Sequence, residues 1–168
     1  MNTTAPILPD VLEPGLRIAF CGYAPGTASA KAGAYYAGPG NRFWRTLHEV
    51  GLIPVLLLPA EFTRLPEFGI GLTDISKTAS GSDQEVGRRG VDPARLVATV
   101  TAASPTHLAF NGKNAARGAL GRPVDYGPQP ERIGNATLWV LPSTSGAARG
   151  YWDIEPWRQL AAATPGWD

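Results

Sequence analysis

The sequence predicts an α/β fold: a single three-layer α/β/α domain around a central four-stranded, mainly parallel sheet. Two observations carry that prediction. Short apolar runs that read as buried strands alternate with helical patterns along the whole chain. The composition supplies both core and loops: 43% of the 168 residues are hydrophobic and 17% charged, and 20 glycines and 16 prolines imply long, shaped connections. That length suits one domain, read as 16–168 after an N-terminal extension, 1–15.

The elements follow in order. Residues 16–21 form the first strand, stopped by Gly22-Tyr23-Ala24-Pro25-Gly26, which can continue neither strand nor helix. Residues 27–40, with Gly33, Gly38, Pro39 and Gly40, read as a loop ended by Asn41. Asn41 can cap a helix over about 42–50 that has Phe43, Trp44 and Leu47 on one face. Residues 69–75 make the second strand, and the polar stretch 76–90 a surface loop. Asp92-Pro93 is an N-cap followed by proline in the first turn, and Leu96, Val97 and Val100 give that helix an apolar face ending near Ser104. A third strand, 106–110, a short helix from Lys113 to about Leu120, a Gly/Pro-rich connection and a fourth strand, 137–141, stopped by Pro142, complete the pattern.

Several function classes are excluded at this level. A formal net charge of +1 gives no global field for a polyanion, so a nucleic-acid surface must be a local patch. The longest apolar stretch, 53–60, contains Pro54 and Pro59 and falls short of the roughly 20 residues of a membrane helix. No basic-then-apolar signal pattern opens the chain, so a cytoplasmic protein is expected. One cysteine, Cys21, and two distant histidines, His48 and His107, give no metal-ligand spacing, and no metal or other cofactor is expected. Cys21 reads as a small buried hydrophobe.

Open α/β sheets bind ligands at the carboxyl ends of their strands, which directs attention to the loops after Cys21, Ile75, Phe110 and Leu141. The first loop lacks the Lys-Ser/Thr of a phosphate-binding loop and the spacing of a dinucleotide fingerprint. The last, Pro142-Ser143-Thr144-Ser145-Gly146-Ala147-Ala148-Arg149, offers hydroxyls, small side chains and one arginine. With Asn41-Arg42-Phe43-Trp44 between them, these segments resemble the mismatch-specific uracil/thymine-DNA glycosylases, whose pattern is Gly-Ile-Asn-Pro-Gly, Asn-Arg/His-Phe-Trp and a late Pro-Ser loop. The resemblance extends through Gly71-Leu72-Thr73-Asp74, Phe110-Asn111-Gly112-Lys113 and Leu138-Trp139-Val140-Leu141-Pro142-Ser143, covering roughly 16–160.

The resemblance implies the uracil-DNA glycosylase fold and a cofactor-free, monomeric enzyme acting on DNA with uracil or mismatched deaminated bases. Such an enzyme extrudes the base and hydrolyses its glycosidic bond. Tyr36 matches the aromatic that stacks on the extruded base, and Tyr23 is a second candidate wall. Backbone N–H groups of Gly22, Tyr23, Ala24 and Gly26, around Pro25, would hold the base, the glycines permitting close approach. Ser80 lies where relatives have a hydroxyl near the base. The family's water-positioning Asn is here Ala24, which neither donates nor accepts. Asp74, at the end of the second strand, is the substitute expected. Ionised, it would activate water; with a raised pKa it would donate to a carbonyl of the base. A separate branch of the superfamily also has Ala there and a downstream Asp, with an iron–sulfur cluster for which this chain lacks cysteines. Asn111 is the second catalytic candidate, because its amide can donate and accept at a pyrimidine edge, although it is equally a turn residue before Gly112.

Thr144, Ser145 and Gly146 occupy the place of the family's wedge, which fills the gap left by the extruded base, and Ser143 before them is a candidate DNA contact. Arg149 is a shifted wedge or a phosphate contact. Asn41, Lys31, Lys77, Arg88, Arg89 and Lys113 are further candidate DNA contacts. A second reading is a damaged- or abasic-DNA binding protein of the same fold whose hydrolysis was lost with Ala24.

Overall fold

Five strands, not four, form the sheet of the computed structural model, which describes residues 5–165. They are β1 (Ile18–Gly22), β2 (Ile70–Asp74), β3 (His107–Asn111), β4 (Gly127–Ile133) and β5 (Ala136–Leu141), in the order β2-β1-β3-β5-β4. The first three and β5 run parallel; β4 is antiparallel to β5. The additional strand lies in the expected Gly/Pro-rich connection. Pro128 and Pro130 hide it from a strand pattern, yet an edge strand tolerates prolines, and the β4–β5 register shifts between Pro128 and Arg132.

Helices cover both faces. Against one pack α2 (Phe43–Glu49), the 3-10 helix Pro59–Phe68 and α6 (Glu155–Ala163), through Phe43, Trp44, Leu47, Phe62, Leu65, Trp157 and Leu160. Against the other pack α4 (Pro93–Ala103) and α5 (Lys113–Leu120), through Leu96, Val100, Ala115 and Ala116. The Asp92 side chain accepts from Arg95 N–H as its N-cap position predicts. Asn41 acts one residue earlier than expected: Arg42 is the N-cap of α2, and the Asn41 side chain accepts from Phe43 N–H.

Two segments read as loops contain short helices, α1 (Thr27–Ala32) and α3 (Asp83–Val86). The stretch after β2 is also less exposed than expected, since Ser76, Lys77, Ala79, Gly81 and Val86 are buried. The end of the N-terminal segment is integral to the sheet. Val11 and Leu72 exchange backbone hydrogen bonds of 2.8 and 2.9 Å, adding an antiparallel bridge outside β2, and Leu8 is buried in the core. Among the described residues no helix is long and apolar enough to cross a membrane.

Candidate active site

Strand alternation brings the chemistry together. Along β1, Ile18 and Phe20 face the aromatic side of the core while Ala19 and Cys21 face the other, so Gly22 returns to the aromatic side. The same count places Asp74 after Ile70 and Leu72, and Asn111 after Ala109. Gly22 pairs with Asp74 in register, and Cys21 with Phe110. Asp74, Gly22 and Asn111 therefore share one face at the carboxyl end of three adjacent strands.

Their packing explains the glycine. A Cβ on Gly22 would lie 2.6 Å from Asp74 Oδ1 and 3.0 Å from the Tyr36 hydroxyl oxygen. Asp74 is 2% exposed, and its Oδ2 has no hydrogen-bond partner among the described residues. Burial pushes its carboxyl up to about 7; Lys77 and Arg95 oppose the shift, while Asp10 and Asp83 add to it.

Tyr36 arrives with φ +53°, a left-handed conformation costly for a non-glycine residue. Its ring lies 4.1 Å, centroid to centroid, from that of Phe43. Its hydroxyl is buried and makes no hydrogen bond of good geometry among the described residues. Burial and Asp74 push its pKa up, and the neighbouring Asn111 amide pulls it down.

Asn111 is buried and held at two points by the last loop: its amide nitrogen donates to Thr144 Oγ1 (2.9 Å), and its oxygen accepts from Thr144 N–H (3.0 Å). Gly112, at φ +109°, turns the chain against Ser143.

The remaining residues of the first loop stay close. Pro25 is buried and its carbonyl accepts from Gly81 N–H at 3.0 Å, tying that loop to half-buried Ser80. Gly26 caps α1, and Ala24 is half-buried. Tyr23 is not a second wall opposite Tyr36. It alternates to the other face, packs with the aliphatic cluster and donates its hydroxyl to the Gly87 carbonyl. In the last loop Thr144 is buried, Ser143 Oγ accepts from Ser145 N–H, and Ser145 Oγ accepts from Ala147 N–H to cap the 3-10 helix Gly146–Tyr151. Gly146 abuts Gly40 backbone to backbone, and Arg42 N–H donates to the Thr144 carbonyl at 3.0 Å, so the loops before α2 and after β5 meet.

The candidate cations separate. Lys31 and Arg149 are exposed; Lys113 is partly buried with its ammonium 4.6 Å from the Tyr126 ring centroid. Lys77 is a correction: it is 8% exposed and bound to Asp10 (2.8 Å) and to the Tyr35 hydroxyl (3.0 Å), out of reach of a phosphate. Sequence reasoning missed Asp10, assigned to the extension, and Tyr151, which stands 78% exposed at the end of the last loop's 3-10 helix. Cys21 is buried, and burial pushes its thiol up, so it offers no thiolate. Among the described residues no His, Cys, Asp or Glu cluster could hold a metal ion.

A mainly parallel sheet flanked by helices on both faces defines an α/β protein, and the carboxyl row of such a sheet is where ligands are generally held. Residues 9–162 match the uracil DNA glycosylase superfamily, and the chain belongs to that family. The fold is similar to the solution structure of a candidate uracil DNA glycosylase from Methanosarcina acetivorans, with a TM-score of 0.63 and 21% identity, covering 95% of this chain and 94% of that one.

Proposed function

We propose that the protein is a monofunctional DNA glycosylase that removes uracil, and mismatched thymine or other deaminated bases, from DNA by extruding the nucleotide and hydrolysing its glycosidic bond. The observation that carries this reading is the buried Asp74 carboxylate, which lies against Gly22 on a row with Asn111 and beside Tyr36, and whose Oδ2 has no hydrogen-bond partner among the described residues. In the proposed step the ionised carboxylate takes a proton from a water whose oxygen bonds to C1′. The glycosidic bond breaks and the base departs with the electron pair. The carboxylate also offsets the positive charge that develops on the sugar. Tyr36 forms a wall of the base site, with Phe43 fixing its ring, and Asn111, oriented by Thr144, addresses the base edge. Ala24 needs no polar function in this scheme.

Base release from uracil-containing oligonucleotides tests it. Asp74→Ala should slow release by about 10²- to 10⁴-fold, the usual contribution of a general base. Wild-type kcat/KM should rise with pH through about 7 as Asp74 ionises. Release undiminished in Asp74→Ala, or a rate that falls across that range, would remove the base role. Wild-type protein that binds such DNA and releases no base would favour the binding protein.

A further inference from the structure

Two cations, Lys77 and Arg95, act electrostatically on Asp74, and among the described residues neither pairs with its carboxylate. Arg95, on α4, donates to the Asp74 backbone carbonyl at 2.5 Å and pairs with Asp10 Oδ2 at 3.1 Å. Lys77, three residues beyond Asp74, pairs with Asp10 Oδ1 at 2.8 Å. Asp10 also accepts from the Thr73 hydroxyl at 2.6 Å, and Tyr35, which binds the Lys77 ammonium, donates to the Pro9 carbonyl at 2.8 Å. The short segment before β1 thus inserts one carboxylate that collects both basic groups.

We propose that Asp10 is a positioning residue for the reaction: by holding Lys77 and Arg95 it keeps both cations off the Asp74 carboxylate and leaves that carboxylate able to act on water. The inference rests on the catalytic reading of Asp74. Lys77 is buried, and a buried ammonium without a counter-ion is strongly disfavoured, so loss of Asp10 drives it to another anion. Among the charged groups, Lys77 acts most strongly on Asp74. An ion pair between them would bind the carboxylate oxygen that the reaction needs and weaken it as a base. The other groups around Asp74 do not replace Asp10. Asp83 on α3 adds to the upward push on Asp74, and Cys21, Tyr35 and Tyr36 are themselves pushed up by burial and stay neutral.

The test is carbon-13 NMR titration of the Asp74 carboxyl alongside the pH dependence of base release. In Asp10→Asn the Asp74 midpoint should fall by about one pH unit or more, as expected when an adjacent cation turns to a carboxylate. The rising limb of kcat/KM should move down with it, and the plateau rate should fall at least about tenfold. Asp10→Asn/Lys77→Met should return the midpoint towards the wild-type value and bring release to within about threefold of it, a non-additivity that marks coupled residues. A midpoint unmoved in Asp10→Asn, or a double variant no faster than the single one, overturns the proposal. Should Asp10→Asn fail to fold, Lys77→Met alone decides. It should raise the Asp74 midpoint and retain release, and an unchanged midpoint or a loss of release overturns the proposal. The titration needs no turnover, so midpoints that move as stated in a protein that releases no base mark failure of the glycosylase reading, whereas an unmoved midpoint marks failure of the role given to Asp10.

Discussion

The two faces of the sheet are built from different materials. One is aromatic: Phe20, Tyr35, Phe43, Trp44, Phe62, Trp139 and Trp157 fill it, with Tyr36 and Trp152 at its margin. The other is aliphatic, with Leu96, Val100, Leu108, Leu138 and Val140 around a single buried aromatic side chain, Phe110. The difference lies in the polar tips. Trp157 Nε1 donates to the Pro142 carbonyl (3.0 Å), Trp44 Nε1 to the Tyr35 carbonyl (3.1 Å), and the Tyr35 hydroxyl to the Pro9 carbonyl. Each ring buries apolar area and also pins a segment bordering the site. Aliphatic side chains have no such tip, and on their face a loop is held instead by half-buried Tyr23 at the margin, through the Gly87 carbonyl. The aromatic face therefore holds the segments bordering the site in place, while the aliphatic face supplies stability.

Substitutions on each face test that division. The largest effect on turnover is expected from Asp74→Ala, with the loss given above. On the opposite face, Leu108→Ala should destabilise the fold by about 2–5 kcal/mol in denaturant unfolding, yet leave kcat per folded molecule nearly unchanged. A proportionate loss of kcat would mean that the faces are coupled. A third measurement uses pH. The Asp74 carboxyl titrates at about 7 in the folded chain and near 3.8 when unperturbed. Between those values the folded state keeps a proton that the unfolded state loses, so stability declines as pH rises through the window and levels off above it. Because Asp74→Asn cannot ionise, wild type should lose about 2–4 kcal/mol relative to that variant between pH 4 and pH 8. Parallel stability curves would place the folded carboxyl in its ordinary range. The smallest change in stability is expected from Gly22→Ala, about 1–3 kcal/mol of overpacking. It should nevertheless slow base release at least about tenfold by displacing Asp74 and Tyr36. Thermal melts and single-turnover rates on the same samples separate the two effects.

Much of this arrangement is legible in the sequence, because it depends on alternation. Once 16–21 and 69–75 are read as strands ending together, a period of two puts Gly22 and Asp74 on one face, and Asn111 follows from the third strand. The α4 cap is equally local, written in Asp92-Pro93. What escaped depends on distant partners. Nothing local marks Asp10 as the counter-ion of two cations 67 and 85 positions away, so Lys77 reads as a surface-loop lysine open to a DNA phosphate. β4 escaped because prolines argue against strands everywhere except at an edge, and the edge is known only once the sheet is assembled. Tyr23 shows the limit of reading by neighbourhood: adjacent to Gly22 in sequence, it belongs to the opposite face.

The Val11 bridge has a consequence for solubility. β2 is the outermost strand of the parallel set, and an uncovered strand edge is a template for pairing with another chain. Val11 occupies the Leu72 amide and carbonyl on that side, while at the far margin the prolines of β4 withhold donors from any incoming strand. The sheet is thus guarded at both margins against edge-to-edge aggregation. One of its guards is the same short segment that carries Asp10.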